Sequence, residues 1–286
     1  MAKNIFIGFE NNMRISNDIN KHAVFKAGLT PQIRREISKL DTKALEREFA
    51  EANVDCFLKE NKSIGGILTI CINLLEDAYK KYSLPFMYLP PSIYVYDTPE
   101  LIQTEHNDET YTGFCITDAK EVIKDQKPFD VSAVFIKNQL DDIDYINDLA
   151  EKSYGKNVAS SDHFTHFIMH ELFHAIHLDS IFRNEGYEGQ SPYAKELYKN
   201  PYIKNPKGLL KIDILNTKIF PLRKGKIENS VGRYAATSRM ELFPEVMTKM
   251  LTDSINSENL SLDSNPMDLL KNYPKFIQKF IKRELE

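Results

Sequence analysis

The stretch HFTHFIMHELFHAIHLDS, His163–Ser180, gathers five of the seven histidines of the chain into fifteen residues. At 100° per residue, His163, His166, His170, His174 and His177 fall within an arc of about 80° on one helical face. His170 and His174 stand one turn apart, with Cβ atoms about 6 Å from each other, so both imidazoles can reach one metal ion at the roughly 2.0–2.1 Å that zinc requires. Glu171 completes the pattern H-E-x-x-H. A carboxylate one residue after the first ligand points about 100° around the helix, beside the ion, where it can take a proton from water. The flanking FIM and LF supply apolar residues for the remaining faces, as a buried helix needs.

A catalytic zinc keeps three protein ligands and one solvent position, so a third donor must come from elsewhere. Ser180 stands where the longer metzincin pattern has its third histidine, and His177 stands where that pattern has glycine, which excludes metzincins. His163 and His166 read as surface or hydrogen-bonded histidines, and His177 is assigned no role. The best source of the third ligand is GRYAATSRMELFPEVMTKML, residues 232–251. Glu241 and Glu245 share a helical face there, and the second carboxylate is placed to orient a zinc histidine through its distal N–H. Tyr234 lies seven residues before Glu241, and its phenol is suited to donating to a developing oxyanion. The competing structural role is a Ser238-x-x-Glu241 capping box with no metal. Pro244 opposes a long helix here, because an interior proline costs about 3 kcal/mol; it predicts a helix that begins nearer Glu241.

These two segments resemble the gluzincin peptidases related to the anthrax lethal factor catalytic domain and the Pro-Pro endopeptidases. That group pairs H-E-x-x-H with a later Y-x6-E-x-x-A-E, matched here by His170, Glu171 and His174, then Tyr234, Glu241 and Glu245, with Pro244 in place of the alanine. The closing YPKFIQKFI is similar to the group's carboxyl-terminal helix, and similar zincin segments occur in phage-encoded proteins. The resemblance covers roughly residues 160 to 285. It implies zinc held by His170, His174 and Glu241, with Glu171 and Tyr234 catalytic. It also implies a zincin-like α+β fold: a small mixed sheet packed on an active-site helix, followed by a mainly helical carboxyl-terminal subdomain. The implied activity is hydrolysis of a protein or peptide substrate that adds as a strand to a sheet edge, for which VSAVFIKN (131–138) is the candidate. The alternative is a zinc-containing structural or binding protein without turnover, such as a phage particle component. Cys115 is the candidate for a deformylase-type cysteine ligand, but TGFCITDA reads better as a strand with that cysteine facing the core.

The remainder of the chain fits this frame. Its 286 residues carry a net charge of −4, which removes the broad attraction to phosphate expected of a nucleic-acid binder. Cys56, Cys71 and Cys115 give neither a disulfide framework nor a four-cysteine zinc module. The amino terminus lacks the pattern of a secretory signal, and SIGGILTICINLLEDAYKKY is too short in apolar residues to span a bilayer. No membrane partner is expected, and a cytoplasmic location is the default, with phage association or delivery by another route left open. Oligomeric state is not legible.

Thr30–Pro31 and Asp41–Thr42 predict two helix starts, the second running through KALEREFAEANVDCFLKE. A buried helix over 64–82 follows, then strands at SIYVYD, YTGFCIT and VSAVFIKN and a helix at DDIDYINDLAEKSYG. Residues 178–233, with Tyr187, Tyr193, Tyr198 and Tyr202, read as a solvated surface excursion, with a substrate-facing insertion as the alternative, and LLKNYPKFIQKFIKREL reads as an amphipathic closing helix. The organisation expected is a helical segment over 1–60 and a catalytic domain over 61–286, the latter divided at 177/178.

Overall fold

Thr30 and Asp41 open the first two helices of the computed structural model, which describes residues 29–52, 54–82, 92–96, 113–116, 133–184, 220–255 and 262–285. In α1 (Pro31–Ser38) the Thr30 hydroxyl accepts from the Ile33 amide at 3.3 Å, and proline occupies the first turn, where no N–H is needed. In α2 (Thr42–Glu51) the Asp41 carboxylate accepts from the amides of Lys43 and Ala44 at 3.0 and 3.1 Å. The second helix is shorter than its pattern suggested. It ends at Ala52, and Asp55–Phe57 forms strand β1 instead. Three residues with only Cys56 buried are too few to display a period of two.

Helix α3 (Lys62–Tyr82) is buried along most of its length. Its first turn is capped from a distance, since the Asp141 carboxylate accepts from the amides of Ser63 and Ile64 at 2.7 and 3.2 Å. Gly66 marks the contact with α1, where a Cβ would stand 2.5 Å from Cγ1 of Ile37. Strands β2 (Ser92–Tyr96), β3 (Gly113–Ile116) and β4 (Ala133–Lys137) then complete a sheet of order β1-β2-β4-β3. The first three in that order run parallel, and β3 runs antiparallel to β4. The register aligns Cys56, Ile93 and Val134 across the sheet, and Val95 with Ile136, all buried in one cluster with α3 and the histidine helix.

This order corrects one expectation. VSAVFIKN supplies β4, which lies inside the sheet between β2 and β3, so it is not an edge strand. The chain passes through β3 before returning to pair β4 beside β2, and this leaves β3 as the antiparallel edge among the described residues.

A 3-10 turn (Asn138–Asp141) leads into α4 (Ile143–Gly155), whose amino terminus is capped by Asp142. After a loop come α5 (His166–Asn184), α6 (Phe220–Ser230) and α7 (Arg239–Asp253). Helix α6 falls inside the stretch read as a surface excursion; the four tyrosines named there lie outside the described residues. The closing segment is broken into a 3-10 stretch (Pro266–Asn272) and α8 (Lys275–Leu285). Pro274 holds Tyr273 extended, at φ −92° and ψ 157°, and so prevents one continuous helix. The protein is a mixed α+β molecule, mainly helical with a small sheet. No described helix is long and apolar enough to cross a membrane. Cys115 lies on β3, and Cys56 and Cys71 are buried free thiols.

Candidate metal centre

Helix α5 packs more extensively against α7 than any other described pair of elements. On its apolar sides Ile168, Met169, Leu172, Phe173, Ala175 and Ile176 are buried. Phe173 meets Phe243 of α7 edge to face at 6.4 Å between ring centroids. Each of these side chains other than Ala175 contributes about 1.5–3 kcal/mol by burial, which offsets the placing of polar groups between the two helices.

Those polar groups alternate. Nε2 of His166 lies 3.4 Å from Oε1 of Glu245, and the same oxygen is 3.0 Å from Nδ1 of His170. Nε2 of His170 is 3.0 Å from Oε2 of Glu241, which is also 3.1 Å from Nε2 of His174. The row therefore runs His166, Glu245, His170, Glu241, His174. Numbers rise along α5 as they fall along α7, so the helices are antiparallel and two i, i+4 repeats interlock.

Two overlapping triplets in this row have the donors for a metal ion: His170, His174 and Glu241, and His166, His170 and Glu245. Exposure separates them. The side chains of His174 and Glu241 are 12% and 20% exposed, whereas those of His166 and Glu245 are 3% and 1% exposed. Of the two triplets, only the first has side chains that solvent reaches appreciably. Its 3.0 and 3.1 Å separations are within a few tenths of an ångström of the roughly 3.3 Å between neighbouring donors around a tetrahedral ion with bonds of about 2.0 Å. The donor set of two imidazoles and one carboxylate fits zinc.

Glu171 is buried beside these ligands, and its Oε2 has no hydrogen-bond partner. Burial pushes its carboxyl up from the ordinary range, with the imidazoles of His174 and His170 pulling it back. His170 is held well above the usual histidine range. Burial alone would lower it, but the carboxylates of Glu241 and Glu245 outweigh burial. Glu241 is held below the usual carboxylate range by His174 and His170, and Glu245 by His166 and His170, each against the opposing effect of burial.

The Pro244 expectation is not met. Helix α7 begins at Arg239 with Ser238 as its cap, whose hydroxyl accepts from the Glu241 amide at 3.2 Å. Half of the capping box thus forms at the backbone, while the Glu241 carboxylate turns to the histidines. Pro244 sits in the second turn and is buried, so packing of its neighbours Phe243, Val246 and Met247 offsets the missing hydrogen bond.

Tyr234 is brought to the site, with its ring centroid 5.6 Å from that of His170. Its turn is clasped to the loop before α5. Amides of Arg233 and Tyr234 donate to the carbonyls of Asn157 and Val158 at 2.8 and 3.1 Å. Gly232, at φ +152°, fits there because a Cβ would stand 2.9 Å from the Val158 oxygen. The same loop grips α7: the Ser160 amide donates to Oε2 of Glu245 at 2.7 Å, and the Ser160 hydroxyl to the Glu245 carbonyl at 2.8 Å. The sequence reading missed Asn157–Ser161; small polar residues between two helices look like any surface loop.

The outer histidines have separate roles. His177 is fully buried, stacked on Phe243 at 4.3 Å, with Nε2 3.0 Å from Oε2 of Glu284, so it pins α8 to α5. His163 precedes the helix, and its Nδ1 accepts from the Thr165 amide at 3.3 Å. Burial lowers it to about 4, opposed by Asp162 and helped by His166. Its folded value lies below the roughly 6.5 of an unfolded histidine, so the unfolded chain binds the extra proton, and stability falls as pH drops from about 6.5 towards 4. Urea unfolding is expected to give a loss over that window on the order of 2 kcal/mol larger for wild type than for His163→Asn, whose amide oxygen can accept the same bond. Equal slopes for the two proteins would refute this.

Comparison with known proteins identifies no relative: no protein-family model, no curated protein and no solved structure matches the chain.

Proposed function

We propose that this protein is a zinc-dependent endopeptidase of gluzincin type and zincin-like fold. The observation that carries the proposal is the convergence of one oxygen of Glu241 on Nε2 of both His170 and His174, with Glu171 buried beside them and its Oε2 unpartnered. His170, His174 and Glu241 would hold the ion. Zinc, when bound, supplies Lewis acidity that brings the pKa of water to about 7 and polarises a carbonyl.

The chain's own groups do the rest. Glu171 accepts a proton from the attacking water and delivers it to the leaving amine, so one carboxylate serves as base and then acid. The Tyr234 hydroxyl donates to the oxygen that becomes negative as water adds to the peptide carbonyl. Glu245 faces the Nδ1 side of His170, with Oε1 3.0 Å away, and so leaves Nε2 for the metal. A peptide substrate would lie extended against the outer edge of β3, donating and accepting along its backbone.

The test is metal analysis of the purified protein together with a mixed peptide library. Stoichiometric zinc and chelator-sensitive cleavage restored by added zinc are the expected results. Zinc without cleavage of any peptide would instead favour a non-catalytic structural or binding role.

A further inference from the structure

Glu245 is almost completely buried, and an ionised carboxylate in that position is costly unless several donors surround it. Its Oε2 is satisfied by the Ser160 amide at 2.7 Å. Its Oε1 lies between two rings, 3.0 Å from Nδ1 of His170 and 3.4 Å from Nε2 of His166, and both approach off the line of a hydrogen bond. Neither ring alone fixes this oxygen; together they bracket it. Nδ1 of His166 has no partner, so the polar contact of that ring is through Nε2.

We infer that His166 is a positioning residue for the metal centre, acting through Glu245 to set the ring of His170. This rests on the zinc reading above. Without His166, the Glu245 carboxylate could swing about its Ser160 contact, and the His170 ring would lose its fixed plane. A direct ligand role fits poorly. An ion between His166 and Glu245 would have to use Nδ1 of His170 while its Nε2 faces Glu241, in a pocket where the His166 and Glu245 side chains are 3% exposed or less.

The experiment is a double-mutant cycle in the full chain: wild type, His166→Ala, Glu245→Gln and the pair. Zinc affinity is read by competition with a chromophoric chelator, the visible spectrum of the cobalt form is recorded, and metal-free melting temperatures are measured alongside. Glu245→Gln is expected to weaken zinc about 10- to 100-fold, the range for partners that orient ligands. His166→Ala is expected to weaken it about tenfold alone, and less than about twofold in the Glu245→Gln background, because its effect passes through the missing carboxylate. The cobalt spectrum should shift in both single variants. His166→Gln, which keeps an N–H in reach, should recover most of the affinity, and His166→Asn repeats the cycle should the alanine variant not fold.

Equal losses in both backgrounds, or no loss at all, would overturn the inference. So would two zinc ions in wild type falling to one in His166→Ala, which would make His166 a ligand. A wild type that binds no zinc would instead overturn the metal reading itself.

Discussion

Glu171→Gln is expected to keep its zinc and to lose peptide cleavage by 10²- to 10⁴-fold, the usual contribution of a positioned general base. Glutamine preserves the volume of a side chain that is 7% exposed but cannot take up a proton. A purely structural role predicts instead that stability falls together with activity. On the catalytic reading, a buried carboxylate with one oxygen unpartnered is costly, so a neutral amide should leave the fold as stable or more so, and melting temperature should not fall with activity. Full turnover in the glutamine variant would remove Glu171 as the base, and loss of zinc together with stability would make its role one of packing. Measuring zinc content, melting and cleavage on the same preparation separates the three cases.

The parts of this site that were legible in the sequence are those fixed by helical spacing alone. H-E-x-x-H at i, i+4 placed His170 and His174 on one face, and the i, i+4 pair Glu241 and Glu245 placed its carboxylates on another; the structure brings the two faces together. Helix starts at Thr30 and Asp41 were legible because capping is local chemistry. What failed was non-local. β1 is too short to show a pattern, and the edge position of β3 depends on which strand pairs with which, information that no segment carries by itself. The partners of His166 and His177 were hidden for the same reason. They are Glu245 and Glu284, residues 79 and 107 positions away. The helix start at Arg239 was misplaced because a local cost at Pro244 was outweighed by packing visible only in three dimensions.

Glu241→Ala is expected to weaken zinc binding on the order of 10²- to 10³-fold and to abolish cleavage. Apparent zinc affinities of about 10–16 kcal/mol shared among four positions give about 3 kcal/mol for each protein donor, partly recovered when water fills the place. His174→Ala should match it, because both side chains meet at the same oxygen position on the open side of the row. His170→Ala belongs to both triplets and cannot choose between them. The informative comparison is Glu241 against Glu245. If the ion sits where solvent can reach it, removing Glu241 must cost more than removing Glu245, and the cobalt spectrum must lose a ligand only in the first case. The reverse order would move the ion into the sealed triplet of His166, His170 and Glu245, where no side chain is more than 6% exposed. A metal there would have no place for an attacking water, and zinc would then hold α5 to α7 without doing hydrolysis.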